Sequence, residues 1–199
     1  MTLEITLVAL VIALVFGFLL ALARLSGRPV LVVPAALYIE VIRAVPVLVI
    51  IVMGYYSLPA VGIKLHGFPA ACVALGAFYA TLYCEIFRGG ILGVDRGQRE
   101  AAMALGMGPS VVMRRIILPQ AVLAILPPAT NQLSNLIKDT SLVIAVGVAD
   151  LMSQAYQSIS NTFLPMDMLA LAGIMYFALY LILSRFLTRW EQRVQFHRG

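Results

Sequence analysis

Residues 3–23 read LEITLVALVIALVFGFLLALA, an apolar run whose single charged residue is Glu4. A helix needs about 20 mostly apolar residues to cross the hydrocarbon core of a bilayer, and this run has that length. It is not preceded by a basic segment, and no clear small-residue cleavage site follows it. We therefore predict a retained membrane helix rather than a cleaved signal peptide.

The composition of the whole chain extends this prediction. Of the 199 residues, 62% are hydrophobic and 12% are charged, whereas a typical soluble domain has about 45–50% and about 25%. One buried core cannot absorb so much apolar surface, so we predict an integral membrane protein in contact with lipid. The net charge of +5 fits membrane orientation better than nucleic-acid binding, because the arginines lie between apolar runs.

Five apolar segments are long enough to span a membrane, and they predict an all-α protein with five transmembrane helices in a single domain, 1–199. We expect the fourth segment to be broken, because Pro119, Pro127 and Pro128 each remove a backbone donor. The predicted spans are 3–23, 30–56, 68–87, 116–152 and 166–187.

The basic residues predict the orientation of these spans. Of the 14 lysines and arginines, all but Arg43, Lys64 and Lys138 lie after the first or third span or in the C-terminal tail. The loop after the second span carries Lys64, and the loop after the fourth carries no lysine or arginine. By the positive-inside rule, we expect the N-terminus outside and the C-terminus in the cytoplasm.

The basic loop after the third span contains a short predicted helix. Residues 98–105 read QREAAMAL, which is rich in helix formers, and Glu100 is expected in the first turn, where the helix dipole favours an acid. Gly97 and Gly106 bracket this segment, and Gly106 suits a left-handed cap. Small alanines would let another protein surface approach closely, although an ordinary interfacial helix has the same composition.

The order Glu100-Ala101-Ala102, Gly106, Ile116 and Leu118-Pro119 resembles the EAA signature of permease subunits in ATP-binding-cassette importers, with every position filled at its spacing. The resemblance implies the type I importer permease fold, with 98–105 as a coupling helix that docks in a groove of a cytoplasmic ATPase. The coupling residues that it implies are Gln98, Glu100, Ala101, Ala102, Leu105 and Gly106.

Further stretches across nearly the whole chain resemble the polar amino acid permeases, which serve histidine, lysine, arginine, glutamine, glutamate and opines. They include YIEVIRAVP at 38–46, EIFRGGI at 85–91 and LIKDTSL at 136–142. The sequence departs from the usual family pattern at Ala44-Val45, where Gly-Thr is common, and at Cys84, where a small residue is common. These departures leave open which amino acid is carried.

The resemblance implies a permease that moves polar or charged L-amino acids across the bacterial cytoplasmic membrane by alternating access. The expected partners are a second permease chain, identical or homologous, two ATPase chains, an external solute-binding protein, the amino acid and lipid. No cofactor is expected in this chain, because ATP and magnesium would bind the ATPase. A permease for another small solute is the alternative within the same importer class.

Two pairs of opposite charges are predicted to lie within spans. Glu40 and Arg43 are three residues apart on one helical face, and Glu85 and Arg88 repeat this spacing. An ionisable residue inside a span costs roughly 2.5–3.5 kcal/mol on insertion scales, so such residues face a bundle interior or a cavity. Both pairs are candidates for structural ion pairs or for a gate.

The fourth span carries a polar stripe. Asn131, Asn135 and Lys138 are four and three residues apart, so they share one face if this segment is helical. A stripe of this kind must face protein or water. It can supply a cation for a carboxylate and acceptors for an ammonium, although a Lys138–Asp139 pair packed against a partner subunit is the alternative. The candidate pathway residues are Asn131, Asn135, Lys138, Asp139, Thr140 and Ser141.

The sequence contains no pattern typical of a catalytic or metal site. His66 and His197 lie in segments on opposite sides of the membrane, and Cys72 and Cys84 lack metal-ligand spacing. A phosphate loop of the G-x-x-x-x-G-K-[ST] type is absent, so a separate ATPase is needed. A membrane enzyme using Glu85, Lys138 or Asp139 would lack a nucleophile–base pair, and a stand-alone secondary transporter would lack the usual internal repeat.

Overall fold

The computed structural model describes residues 1–57, 59, 62 and 65–196, and this part of the chain is all-helical, as the sequence predicts. Lys64, His197 and Arg198 lie outside the described residues. A π-helical turn, Met113–Ile117, precedes α7, and a 3-10 helix, Thr140–Val146, follows it. The α-helices are α1 (Thr2–Leu25), α2 (Pro29–Ala44), α3 (Val47–Ser57), α4 (Gly67–Leu92), α5 (Arg96–Ala104), α6 (Pro109–Val112), α7 (Leu118–Asp139), α8 (Leu151–Thr162) and α9 (Pro165–Phe196).

Four helical segments in this part of the chain are long and apolar enough to cross a bilayer: α1, α4, the segment Pro109–Val146 and the Pro165–Leu187 part of α9. The pair α2 and α3 makes a fifth span if its members are counted together, although they are bent by 104°. The bend lies at Val45, whose extended backbone (φ −100°, ψ 133°) is typical of a residue before proline. The second span, expected as one segment over 30–56, is therefore two helices.

The fourth span differs from the prediction because it is helical without a break from Pro109 to Val146. Pro127 and Pro128 lie inside α7, and the Thr130 hydroxyl donates to the carbonyl of Pro127 at 2.8 Å. This bond does not replace the missing donors, because the N–H groups absent at Pro127 and Pro128 would pair with the carbonyls of Leu123 and Ala124. The π turn Met113–Ile117 lies shortly before Pro119, which is in the first turn of α7. The expectation that these prolines break the span was wrong.

The span that was expected to reach residue 152 ends earlier. Gly147 has a left-handed backbone (φ 71°) and terminates the 3-10 helix. Asp150 then caps a separate helix, α8, by accepting hydrogen bonds from the backbone N–H groups of Met152 and Ser153. A glycine is favoured at such a position because it has no side chain to clash with the left-handed backbone.

Helices α1 and α4 pack closely at the centre of the fold. A Cβ atom on Gly17 of α1 would lie 2.8 Å from the carbonyl oxygen of Ala80, and one on Gly76 of α4 would lie 2.6 Å from Cγ2 of Ile12. Small residues allow membrane helices to approach in this way and so to gain van der Waals contacts. The core around this crossing includes Ile5, Ala9, Ala13, Leu75, Tyr79 and Tyr83.

Two tyrosines of α4 attach it to α7. The Tyr79 hydroxyl donates to Oδ2 of Asp139 at 2.7 Å, and the Tyr83 hydroxyl donates to the carbonyl of Ala129 at 3.0 Å. A buried tyrosine needs such an acceptor because its hydroxyl otherwise stays unpaired in an apolar interior. The long fourth span is thereby bonded to the centre of the fold at two heights.

The buried carboxylate of Asp150 lies where the start of α8 meets α1 and α9. Asp150 is 1% exposed, and its oxygens accept hydrogen bonds from Ser153 and from the Tyr176 hydroxyl of α9, the latter at 3.0 Å. The neighbouring N–H of Leu151 donates to the Thr2 hydroxyl oxygen at 3.0 Å. The start of α8 is therefore held against both α1 and α9.

Candidate functional site

The short helix expected over 98–105 is α5, which runs from Arg96 to Ala104. Asp95 caps it, because Oδ1 of this residue accepts the backbone N–H of Gly97 at 2.7 Å. Gly97 is consequently inside the helix rather than ahead of it. Glu100 lies beyond the first turn, so the dipole stabilisation expected for this carboxylate is not available there.

The C-terminal end of α5 turns sharply at Gly106. This residue has a left-handed backbone with φ 79°, which confirms the cap expected from the sequence. The N–H of Gly106 donates to the carbonyl of Met103 at 2.9 Å, and the N–H of Met107 donates to the carbonyl of Ala102 at 3.1 Å. This pair of bonds forms a Schellman motif, which pairs carbonyls that a helix end leaves free.

The two faces of α5 have different environments. Ala102 is 5% exposed and packs in a cluster with Ile91, Val112, Ile117 and Ala121. The structure therefore directs Ala102 into the chain's own interior, whereas the sequence suggested a face open to another protein. Within residues 98–105, the exposed residues are Gln98, Arg99, Glu100, Ala101, Met103, Ala104 and Leu105.

An apolar patch lies on the exposed side of this segment. Leu105 is 83% exposed and Met103 is 51% exposed. The EAA signature did not include Met103. The feature that could have identified it is a large apolar side chain in a short helix outside the predicted spans. Exposed apolar side chains of this kind are typical of contact surfaces.

The buried side of α5 contacts the base of the fourth span. Val112 belongs to α6 and Ile117 to the π turn, and both share the cluster that contains Ala102. Closely packed side chains transmit displacement because protein interiors have few voids. The buried side of α5 is therefore packed directly on the first turns of the helix that carries the polar stripe.

Asn131, Asn135 and Lys138, the residues of the predicted polar stripe, are all exposed on α7. Because this span is continuous, the rise per residue can be applied, and Lys138 lies about 35 Å along the axis from Arg115. The hydrocarbon core of a bilayer is about 30 Å thick. The distance from Arg115 to Lys138 is therefore slightly greater than the thickness of that core.

The remaining candidates of this region have other surroundings. Asp139 is half-buried and accepts the hydroxyl of Tyr79, while Thr140 is buried and donates to the carbonyl of Ile137 at 2.7 Å. Ser141 is half-buried. The six residues therefore divide into an exposed row of three, formed by Asn131, Asn135 and Lys138, and a more buried group that follows it.

Asn131 also lines a small polar cavity between α7 and α9. This cavity has a volume of about 120 Å³, and Tyr180 and Ser184 of α9 are among its lining residues. No pattern in the sequence pointed to Tyr180 or Ser184, since single hydroxyls are common in apolar spans. Its lining is completed by Pro127, Thr130, Ser134 and Leu187.

The two predicted charge pairs differ. Arg88 donates from Nη2 and Nε to Oε2 of Glu85 at 2.7 and 3.0 Å, so the ion-pair interpretation holds on α4. Glu85 also lines a cavity of about 340 Å³ between α4 and α7. Glu40 and Arg43 are both exposed on α2, and neither has an ion-pair partner among the described residues.

The possible metal-ligating and nucleophilic side chains of the described residues do not form a metal site. Across the described ranges, no three His, Cys, Asp or Glu side chains lie together as a metal site would require. Cys72 and Cys84 are buried and unpaired. The chemistry that the exposed row offers is therefore hydrogen bonding and charge attraction.

The chain is similar to characterised proteins over almost all of its length. It is 36% identical to the arginine transport system permease protein ArtQ of Bacillus subtilis, over 92% of this chain and 84% of that protein. It is also 36% identical to the glutamine transport system permease protein GlnP of Escherichia coli, over 98% of this chain and 90% of that protein.

Solved structures have the same fold. The crystal structure of an amino acid ABC transporter with histidines matches with a TM-score of 0.92 at 36% identity, over 97% of this chain and 90% of that one. An inward-facing MetNI methionine ABC transporter matches with a TM-score of 0.79 at 23% identity, over 97% and 92%, which supports the fold alone.

A family model described as a binding-protein-dependent transport system inner membrane component matches residues 6–196. Members of this family are transport subunits rather than enzymes, and the fold is that of type I ABC importer permeases. The full-length match, the identity to two permeases and the shared fold show that this chain belongs to the family of inner membrane permease components of binding-protein-dependent ABC importers.

Proposed function

We propose that this chain is the permease of an importer for polar or charged L-amino acids. The observation that carries this proposal is the exposed row of Asn131, Asn135 and Lys138 on a helix that is packed against α5 at its base. Similarity to permeases named for arginine and glutamine supports the substrate class.

The chemistry of this row suits a zwitterion. The Lys138 ammonium attracts the carboxylate of an amino acid, and the amides of Asn131 and Asn135 both donate and accept hydrogen bonds. Asp139 and Thr140 contribute by holding the end of α7 against the interior, and Ser141 lies beside them. The ion pair between Glu85 and Arg88 stabilises α4 itself. Glu40 and Arg43 are unpaired among the described residues, and they are available to a partner chain.

A row of polar side chains exposed inside the membrane must contact protein or water, because lipid chains cannot form hydrogen bonds with amides. We infer that a second permease chain, identical or homologous, faces this row across a water-filled pathway. Two ATPase chains dock on the exposed side of the two coupling helices, at Ala101, Met103 and Leu105, with Gln98 and Glu100 at the polar edge. These ATPases bind the ATP and magnesium, and an external solute-binding protein delivers the amino acid.

The proposed orientation in the bacterial cytoplasmic membrane follows from the same arrangement. Arg96 and Arg99 lie on α5, and Arg114 and Arg115 lie at the base of the fourth span. Arginines concentrate on the cytoplasmic side of membrane proteins. The coupling helix and C-terminus are therefore cytoplasmic, the N-terminus is external, and Lys138 lies toward the external side.

In the proposed transport cycle, α5 and the fourth span move together as one rigid unit between two positions. Closure of the ATPases displaces α5, and the cluster around Ala102 passes this displacement to Val112 and Ile117. The fourth span then moves the polar row between outward-open and inward-open positions. Such a cycle requires ATP to bias two pre-existing arrangements, as alternating access does in general.

The test is uptake by vesicles that contain the permease with the ATPase and binding protein purified together from native membrane. We expect ATP-dependent uptake of labelled polar amino acids, a KM about tenfold higher for Lys138→Ala, and a KM near wild type for Lys138→Arg. Val122→Ala is the control, because Val122 is exposed on the same helix but apolar.

Two results would overturn parts of this proposal. Transport of a different class of small solute, with no uptake of amino acids, would mean that the importer class is right and the substrate class is wrong. An unchanged KM for Lys138→Ala across a panel of amino acids would remove Lys138 from the pathway.

A further inference from the structure

Two opposite charges adjoin at the end of α7, and their side chains have different environments. The Lys138 side chain is exposed, and among the described residues it has neither a hydrogen-bond nor an ion-pair partner. The Asp139 carboxylate is half-buried, and its Oδ2 atom accepts the 2.7 Å hydrogen bond from Tyr79. The Asp139 carboxylate is therefore hydrogen-bonded to a residue of the protein interior, whereas the Lys138 ammonium has no partner among the described residues.

Tyr79 is well fixed for this contact. It is 1% exposed, it belongs to the same core cluster as Leu136 and Val143, and its ring meets the edge of Phe78 with centroids 5.6 Å apart. Leu136 and Val143 flank Asp139 in sequence, so the cluster holds both partners of the bond. A hydrogen bond to a carboxylate is stronger than one between neutral groups.

A released Asp139 carboxylate would compete with the substrate. Adjacent helix positions point about 100° apart and their side chains do not face each other. A freed Asp139 carboxylate would therefore have to rotate about its own side-chain bonds, and the long Lys138 side chain would have to bend toward it, before the two charges could meet. Attraction between opposite charges increases as water is excluded. A Lys138 that is neutralised in this way would attract the carboxylate of an amino acid less.

We propose that Tyr79 is a positioning residue that keeps the Asp139 carboxylate turned into the protein, so that Lys138 presents an uncompensated positive charge to the substrate carboxylate. This inference rests on the proposed function of Lys138 and adds a residue that does not itself touch the substrate. It assigns a role in affinity to a buried tyrosine on a different helix.

The experiment measures KM and maximal uptake rate in vesicles that contain the complete importer. We expect Tyr79→Phe to raise KM several-fold with the maximal rate retained, because Asp139 is then free to approach Lys138. The double variant Tyr79→Phe/Asp139→Asn should return KM toward wild type, because the competing charge is gone.

Tyr83→Phe is the matched control. It removes one hydroxyl from the same helix, one turn away, and breaks a 3.0 Å bond to the carbonyl of Ala129 rather than to a charge. We expect its KM to equal that of wild type, even if the two single tyrosine variants lose similar thermal stability in detergent. Comparing Tyr79→Phe with Tyr83→Phe therefore separates the electrostatic role from general loss of packing.

The inference is overturned if Tyr79→Phe keeps the wild-type KM, or if Asp139→Asn fails to restore a KM that Tyr79→Phe has raised. In either case Tyr79 only ties α4 to α7. Lys138→Ala distinguishes this failure from failure of the proposed function. A raised KM for Lys138→Ala with a normal KM for Tyr79→Phe rejects the role of Tyr79 alone, whereas a normal KM for Lys138→Ala rejects both.

Discussion

The backbone N–H of Met107 donates a 3.1 Å hydrogen bond to the carbonyl of Ala102, and this bond closes the end of α5. The side chain of Ala102 lies in the cluster that reaches the base of the fourth span. Ala102 therefore takes part in both the turn that ends α5 and the packing behind this helix. Disturbing the turn should loosen the connection between α5 and the membrane helices.

Gly106→Ala tests this connection. The described residues leave open space where the new Cβ would lie, so its effect comes from the left-handed backbone. We expect a local destabilisation of about 1–2 kcal/mol, faster hydrogen exchange in α5 and less uptake per ATP hydrolysed. Gly106→Asn is the control, because asparagine tolerates this backbone better. Equal effects of Ala and Asn would contradict the explanation.

Tryptophan substitutions at two adjacent alanines should fail in different ways. Ala101 is exposed, so Ala101→Trp should leave the permease folded but prevent the ATPase from binding. Ala102 is buried, so Ala102→Trp should overpack the cluster and cost about 1–3 kcal/mol or more. Thermal unfolding in detergent and co-purification of the ATPase separate these outcomes. Loss of binding in a fully stable Ala102→Trp would show that this residue faces the partner.

Close packing of α1 against α4 predicts a sensitive glycine. Gly17→Ala would bring a methyl group 2.8 Å from a backbone oxygen, which cannot rotate away. We expect a lower unfolding temperature than that of wild type. Gly173→Ala is the control, since nothing among the described residues lies within 4 Å of its Cβ position and alanine favours helix. Equal loss of stability at both sites would refute close packing as the cause.

Reporter fusions test the proposed orientation. A fusion after Gly199 should be active as a cytoplasmic reporter, and a fusion after His66 should be active as an external one. The expectation follows from the arginines on α5 and at the base of the fourth span. Reporters found on the same face would refute the arrangement of five spans.

The spans that depend on apolar length were well predicted. Residues 3–23 and 68–87 correspond to α1 and α4, because a run of this length in lipid has few alternatives to a helix. The cap at Gly106 was also predictable, since few residues other than glycine adopt its backbone conformation. Each of these features depends only on residues that are close to it in the sequence.

Features that depend on packing were not predictable in the same way. Pro127 and Pro128 suggested a break, yet α7 continues through both of them. The alanines of α5 did not indicate which of them would be buried. Tyr79 lies in an apolar run, and its sequence context gives no sign that its hydroxyl meets Asp139, 60 residues away.

The unbroken course of the fourth span has a mechanical consequence. Lys138 lies about 43 Å along the helix axis from Pro109, so a tilt of about 5° around the base carries it sideways by about 4 Å. That distance exceeds the length of a hydrogen bond, which is about 3 Å. A stiff arm of this length turns a small angular change on one side of the membrane into the making or breaking of a contact on the other.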